Sequence, residues 1–290
     1  MKRLALLLAA MGIVSAAAMA EAPVLKVTNV GQYLEIENTS GGSDIGEDTY
    51  LGNTVGLSYG DWSIGLEATK FWNADTDAIK SKDARAQITV SRPVAEGLVL
   101  GARVRMQDAY DKYYGFYNYA NGGFYSEGWF WYTSNNEAKG DPDMIGIEAW
   151  PLKYTYGDFG VAWYVTGETN MESTRETKME SYMRHEARLY WNFYQGEKLS
   201  LNTEYRVVVS DTKDYDGGDK AAKIDVANTV STDFGTHTLY LNANYAVTES
   251  FSVFGTYGYK VSDLEYVNNG KECKDKNYYG DFIVGWNYKF

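Results

Sequence analysis

Residues 281–290 read DFIVGWNYKF, and their alternation decides the fold. Phe282, Val284, Trp286, Tyr288 and Phe290 share one parity, and Asp281, Ile283, Gly285, Asn287 and Lys289 share the other. A period of two marks a strand, whose successive side chains point to opposite faces. One face here is aromatic and apolar to its last residue. In water it needs a second layer to cover it. In an outer membrane it meets lipid directly, while the mixed face lines a polar interior.

The same period recurs upstream. Leu98, Leu100, Ala102, Val104 and Met106 alternate with Val99, Gly101, Arg103, Arg105 and Gln107. Leu199, Leu201, Thr203, Tyr205, Val207 and Val209 do so with Ser200, Asn202, Glu204, Arg206 and Val208. Leu239, Leu241, Ala243, Tyr245 and Val247 alternate with Tyr240, Asn242, Asn244 and Ala246. Several runs approach the roughly ten residues a tilted strand needs to cross a bilayer. Short turns fall at Gly60-Asp61, 93–97, Gly157-Asp158, 195–198 and 248–250. Longer polar connections fall at about 38–49, 73–82, 108–143, 169–181, 211–236 and 262–276. Short turns on the periplasmic side and long loops outside are the pattern of a transmembrane barrel. Tyr59 with Trp62, Tyr156 with Phe159, and Phe193 with Tyr194 flank three of the short turns, as an aromatic girdle would.

Composition agrees. The 290 residues include 26 Tyr, 8 Trp and 29 Gly but only 4 Pro, and after residue 20 no apolar run approaches a spanning helix. Residues 1–20 read as a cleaved signal peptide: Lys2 and Arg3, an apolar stretch from Leu4 to Ala18, and the A-x-A site Ala18-Met19-Ala20. The remainder, 21–290, is then a single outer-membrane β-barrel. Without Lys2 and Arg3 the 27 basic residues fall to 25 against 39 acidic ones, a net charge of −14. Such a chain is a poor nucleic-acid binder. Cys273 is alone, so no disulfide framework exists.

The expected fold class is therefore all-β, an antiparallel transmembrane β-barrel. Pattern reading gives thirteen runs, and single-chain bacterial barrels have an even number. Assigning the diluted run 222–231 to a loop gives twelve strands. Keeping it as a membrane strand requires another hidden in 108–143, giving fourteen. Twelve is the preferred count.

Leader, girdle and terminal aromatic strand together resemble Gram-negative outer-membrane porins. The Tyr-rich endings LYLNANYAVTESFSVFGTYGYK (239–260) and GDFIVGWNYKF (280–290) resemble the fusobacterial major outer-membrane porin family, FomA. That resemblance implies a passive channel for ions and small hydrophilic solutes, set in outer-membrane lipid and lipopolysaccharide. It also implies that Trp286, Tyr288 and Phe290 form the signal read by the barrel-insertion machinery. A homo-oligomer is compatible with this reading.

Outside the leader the chain has eight arginines. Arg92 lies in a turn and Arg175 in a loop, whereas Arg85, Arg103, Arg105, Arg184, Arg188 and Arg206 all fall on the polar parity of a strand. Counted from the short turns, most of these lie at the level of Glu67, Glu186 and Glu204, with Glu148 slightly higher, roughly 12–16 Å up and near the bilayer midplane. The expectation is a mid-barrel belt of both signs. It is either a pore constriction or the neutralised filling of a closed barrel whose loops serve adhesion or envelope structure. The 36 residues of 108–143 form the third outer connection and are crowded with rings. Tyr113, Tyr117, Phe124, Trp129 and Trp131 are its candidates for an inward-folded constriction, against the alternative of a hairpin extending the barrel.

Enzyme chemistry finds little support. His185-Glu186 begins like H-E-x-x-H, but position 189 is Leu and the segment reads as a strand. Neither His185 nor His237 has a serine two residues on, and no Asp-His dipeptide occurs. Both histidines read as structural residues at strand ends. Asp214-Tyr215-Asp216-Gly217 fails the EF-hand spacing at Thr212 and Lys223. No catalytic residue, metal site or cofactor is expected.

Overall fold

A computed structural model of the protein describes residues 23–39, 48–74, 78–135, 142–171, 179–215, 228–232, 234–268 and 271–290. The expected leader lies outside these residues, as do Arg175 and the side chain of Cys273. The strands are β1 Lys26–Thr39, β2 Asp48–Tyr59, β3 Trp62–Ala74, β4 Ile79–Ala95, β5 Leu98–Gln107, β6 Tyr110–Asn121, β7 Phe124–Asn135 and β8 Met144–Tyr156. They continue with β9 Phe159–Asn170, β10 Met179–Gln195, β11 Leu199–Tyr215, β12 Asn228–Thr232, β13 Thr236–Ala246, β14 Phe251–Asn268 and β15 Lys271–Lys289.

Strands pair antiparallel with their neighbours in sequence except β12 and β13, which each pair with β11 and β14, and the first strand pairs with the last. Eleven register pairs, from Asn29↔Lys289 to Thr39↔Tyr279, zip β1 to β15 and close the sheet into a barrel. Closure leaves no sheet edge, which is what a β-structure in lipid requires. β12 and β13 lie end to end along β11, facing 211–215 and 199–207 respectively, so together they fill one place in the wall. The wall therefore has fourteen strands, not the twelve preferred from sequence.

Both additional strands come from 108–143, which is not one connection. β6 and β7 run through it as a hairpin, from Tyr110↔Asn135 down to Asn121↔Phe124. The tip lies on the same rim as the other short turns, with Gly122 at φ 59°. The two turn residues are Gly122 and Gly123, and a two-residue hairpin turn favours glycine at a first central position of positive φ. Gly60, Gly97 and Gly157 take the same region in three other turns of that rim. The run 222–231 adds no separate crossing, because its described part belongs to β12.

Parity sorts the two faces. Phe282, Val284, Tyr288, Leu239, Leu241, Leu189, Val161 and Leu100 are all exposed on the outer surface. Tyr59, Tyr156, Phe159, Phe193 and Tyr194 are exposed near the short-turn rim, where the girdle was expected. Pro151 falls within the register irregularity between Ala149 and Leu152, where a residue without an N–H disrupts the ladder least.

Candidate functional site

The concave face identifies itself by contacts that skip strands, since side chains converge only inside a ring. Lys112 Nζ on β6 donates to Glu168 Oε1 on β9 at 2.9 Å, passing two strands. Trp131 Nε1 on β7 reaches the same oxygen at 2.9 Å. Tyr33 on β1 donates to Glu67 on β3 at 3.3 Å. Register then places every residue of the same parity in the lumen.

All six strand arginines lie there. On β3–β5, Arg85 pairs with Glu67 at 2.8 Å, while Arg105 Nε donates to Gln87 Oε1 and Arg103 Nε to Thr89 Oγ1, each at 3.0 Å. On β10–β11, Arg184 pairs with Asp211 at 2.6 Å, Arg188 with Glu186 at 2.7 Å and Glu204 at 3.5 Å, and Arg206 with Glu204 at 2.7 Å. β4 and β11 are seven places apart in a ring of fourteen, so the two groups face each other across the lumen. The expected belt is thus two facing charged walls, each held by pairs between adjacent strands or two residues apart on one strand. Glu148 accepts from Tyr164 Oη at 3.0 Å and belongs to the wall between them.

That wall, on β6–β9, is aromatic. Phe116 and Trp129 stack at 4.1 Å, Tyr114 lies 5.7 Å from Trp131, and Trp150 meets Tyr164 at 4.8 Å. Arg188 lies over Tyr164 at 3.6 Å and Arg103 over Trp129 at 4.2 Å, joining the aromatic wall to both charged ones. The rings lie flat because glycines receive them. A Cβ on Gly101 would stand 2.1 Å from Phe116, and one on Gly146 would stand 2.3 Å from Trp131. Gly101 is therefore covered by a ring, whereas a Cβ on Gly65 would meet only Thr89, at 3.7 Å. Opposite the rings, β1 and β15 present Glu35, Glu37 and Asp281 to the lumen.

The five candidate constriction residues divide. Trp129 and Trp131 face the lumen, as strand residues and not as parts of an inserted loop. Tyr113, Tyr117 and Phe124 have the opposite parity and lie on the outer face. Trp286, Tyr288 and Phe290 are on the outer face of β15 and beyond it. Tyr114, Trp150, Tyr164, Asp211 and the Lys112–Glu168 pair were not singled out from sequence. Strand parity would have found Trp150, which shares its strand face with Glu148; Asp211 comes to the face of Arg206 only through the bulge opposite His185 and Glu186, and no residue on β9 or on the lumen face of β6 was among the candidates.

His185 and His237 point outward. His185 lies within β10, not at its end, and packs 5.8 Å from Trp163. His237 sits one residue into β13 and shares a 2.7 Å hydrogen bond with Tyr205. Among the described residues no group of three or more His, Cys, Asp or Glu is placed to hold a metal.

With strands about 4.8 Å apart and tilted about 40°, fourteen of them make a backbone cylinder of about 14 Å radius, against about 12 Å for twelve.

No family model matches the chain, and no curated protein matches it. Among solved structures it is similar to a bacterial polysaccharide outer membrane secretin, 9% identical over 93% of this chain and 100% of that one, with a TM-score of 0.50. It also matches the outer membrane channel DcaP of Acinetobacter baumannii at 9% identity, covering 94% and 100% of the two chains with a TM-score of 0.46. A further match is an anion-selective porin from Comamonas acidovorans, at 11% identity over 92% and 100%, with a TM-score of 0.45. At such identities the likeness concerns the fold alone, and the first of these carries it: the chain has the fold of an outer-membrane antiparallel β-barrel.

Proposed function

We propose that the protein is an outer-membrane porin, a passive water-filled channel for ions and small hydrophilic solutes. The observation that carries this is the sorting of side chains around a closed ring of fourteen strands. Six arginines, four of them paired with carboxylates, occupy the lumen face, and the outer face is apolar above an aromatic short-turn rim. Charged residues persist at membrane depth when they are paired or in contact with water. A ring this wide holds water beside such walls, and all the described chain around the lumen is wall strand. In this reading residues 1–20 act as the secretory leader, lipid and lipopolysaccharide surround the barrel, and the strand ending at Phe290 is its insertion signal. The chain does no covalent chemistry.

The test is single-channel recording of the refolded mature protein in a planar bilayer under a salt gradient. Discrete steps with a defined reversal potential are expected. A barrel that resists SDS until heated, yet gives no steps, would establish the closed-barrel reading and leave adhesion or envelope structure as its role.

A further inference from the structure

The lumen arginines are not equivalent. Arg85, Arg184, Arg188 and Arg206 each end on a carboxylate within 2.8 Å. Arg103 and Arg105 donate through Nε to neutral oxygens, Thr89 Oγ1 and Gln87 Oε1. Among the described residues neither has a carboxylate within ion-pair distance. Two guanidiniums, two residues apart on one strand face, thus form no ion pair among the described residues. A guanidinium cannot shed its charge at ordinary pH. Their Nη groups form planar forks whose geometry matches an oxyanion at two points.

Flat rings and open space adjoin these forks. The Arg103 guanidinium lies 4.2 Å from the Trp129 ring centre, and that of Arg105 lies 5.5 Å from Tyr114. On its other side Arg103 borders a cavity of about 470 Å³, walled by Thr54, Gly65, Thr89 and Ser91. The acid on that cavity, Glu67, is already committed to Arg85 at 2.8 Å and adds little repulsion. Hydroxyls and a glycine leave the entry to Arg103 unobstructed.

We infer that Arg103 and Arg105, with Trp129 and Tyr114 beside them, form a binding site for small carboxylates that carry a flat ring. The carboxylate takes the forks, and the ring lies against the edges of Trp129 and Tyr114, since Phe116 and Arg103 cover the two faces of Trp129. The charge alone would hold any small anion, and the rings add preference. An aromatic pair contributes about 0.5–1.5 kcal/mol beyond its buried area, which corresponds to roughly two- to twelvefold in affinity. This inference rests on the channel reading only for how a solute arrives.

Calorimetric titration of the refolded full barrel in detergent tests it, because equilibrium binding needs no conduction. Sodium benzoate is expected to bind several-fold more tightly than sodium acetate, and neutral benzamide not measurably. Arg103→Gln with Arg105→Gln should weaken benzoate at least tenfold. Trp129→Leu should abolish the advantage of benzoate while retaining acetate. Equal affinities for benzoate and acetate in the unaltered protein, which requires no variant to fold, would overturn the inference. So would benzoate binding that survives the double arginine change in a heat-modifiable barrel. Binding without conductance steps refutes the channel reading alone, and steps without ring-dependent binding refute this inference alone.

Discussion

Arg188 shows what a lumen arginine does when it is a fastener. Its side chain is 6% exposed, bonded to Glu186 at 2.7 Å, within 3.5 Å of Glu204 and pressed on the Tyr164 ring at 3.6 Å. Removing it strands Glu186 at membrane depth, while Glu204 keeps Arg206 at 2.7 Å, and breaking a buried pair on one side costs about 3–5 kcal/mol. Arg188→Met should therefore lower the unfolding free energy by about that amount, measured by urea denaturation of the lipid-refolded barrel. Adding Glu186→Gln should recover part of the loss, because one uncompensated charge then disappears. An Arg188→Met barrel as stable as the unaltered one would mean that water already solvates the pair. Arg103 has no carboxylate to strand among the described residues, so its loss is expected to change solute handling more than folding.

At the scale of elements, the instructive hairpin is β6–β7. Strand reading depends on contrast between faces, and here both faces are aromatic. Tyr113, Tyr117 and Tyr119 alternate with Tyr114, Phe116 and Asn118, and hydropathy hardly separates the two sets. The outer face needs rings for lipid, and the inner face uses them to line the wall over Gly101 and Gly146. The contrast vanished for a physical reason, and the remaining signal was the turn at Gly122-Gly123. Where the lumen face carried charge, as on β4, β5, β10 and β11, parity was legible residue by residue. The pairing partners were not, because register depends on bulges such as that between His185 and Glu186, which no periodicity records. The hairpin makes a topological prediction. A protease-cleavable tag inserted between Gly122 and Gly123 should resist protease on intact cells and be cut once the outer membrane is opened. Cleavage on intact cells would put this segment outside, as a twelve-strand barrel requires.

For the whole molecule, the decisive question is which solvent meets the outer surface. Leu239 and Leu241 are 44% and 48% exposed, and Leu241 lies five residues above the end of β13, about 12 Å up in a tilted strand. Its neighbour Asn242 faces the lumen, bonded to Asn202 at 2.9 Å and accepting from Thr256 at 2.8 Å. In water, an arginine at an exposed leucine is nearly neutral. In lipid it costs about 2–4 kcal/mol near the midplane. Leu241→Arg should accordingly lose about that much stability in lipid vesicles. Asn242→Arg, one residue away, should fold with a smaller penalty and shift the reversal potential toward anions. The pair of variants separates membrane from water and inside from outside in one experiment, since the added charge is the same and only the parity differs. Equal stability of Leu241→Arg and the unaltered protein in vesicles would remove lipid from the outer face. The apolar girdle, the closed ring and the charged interior would then lose their common explanation.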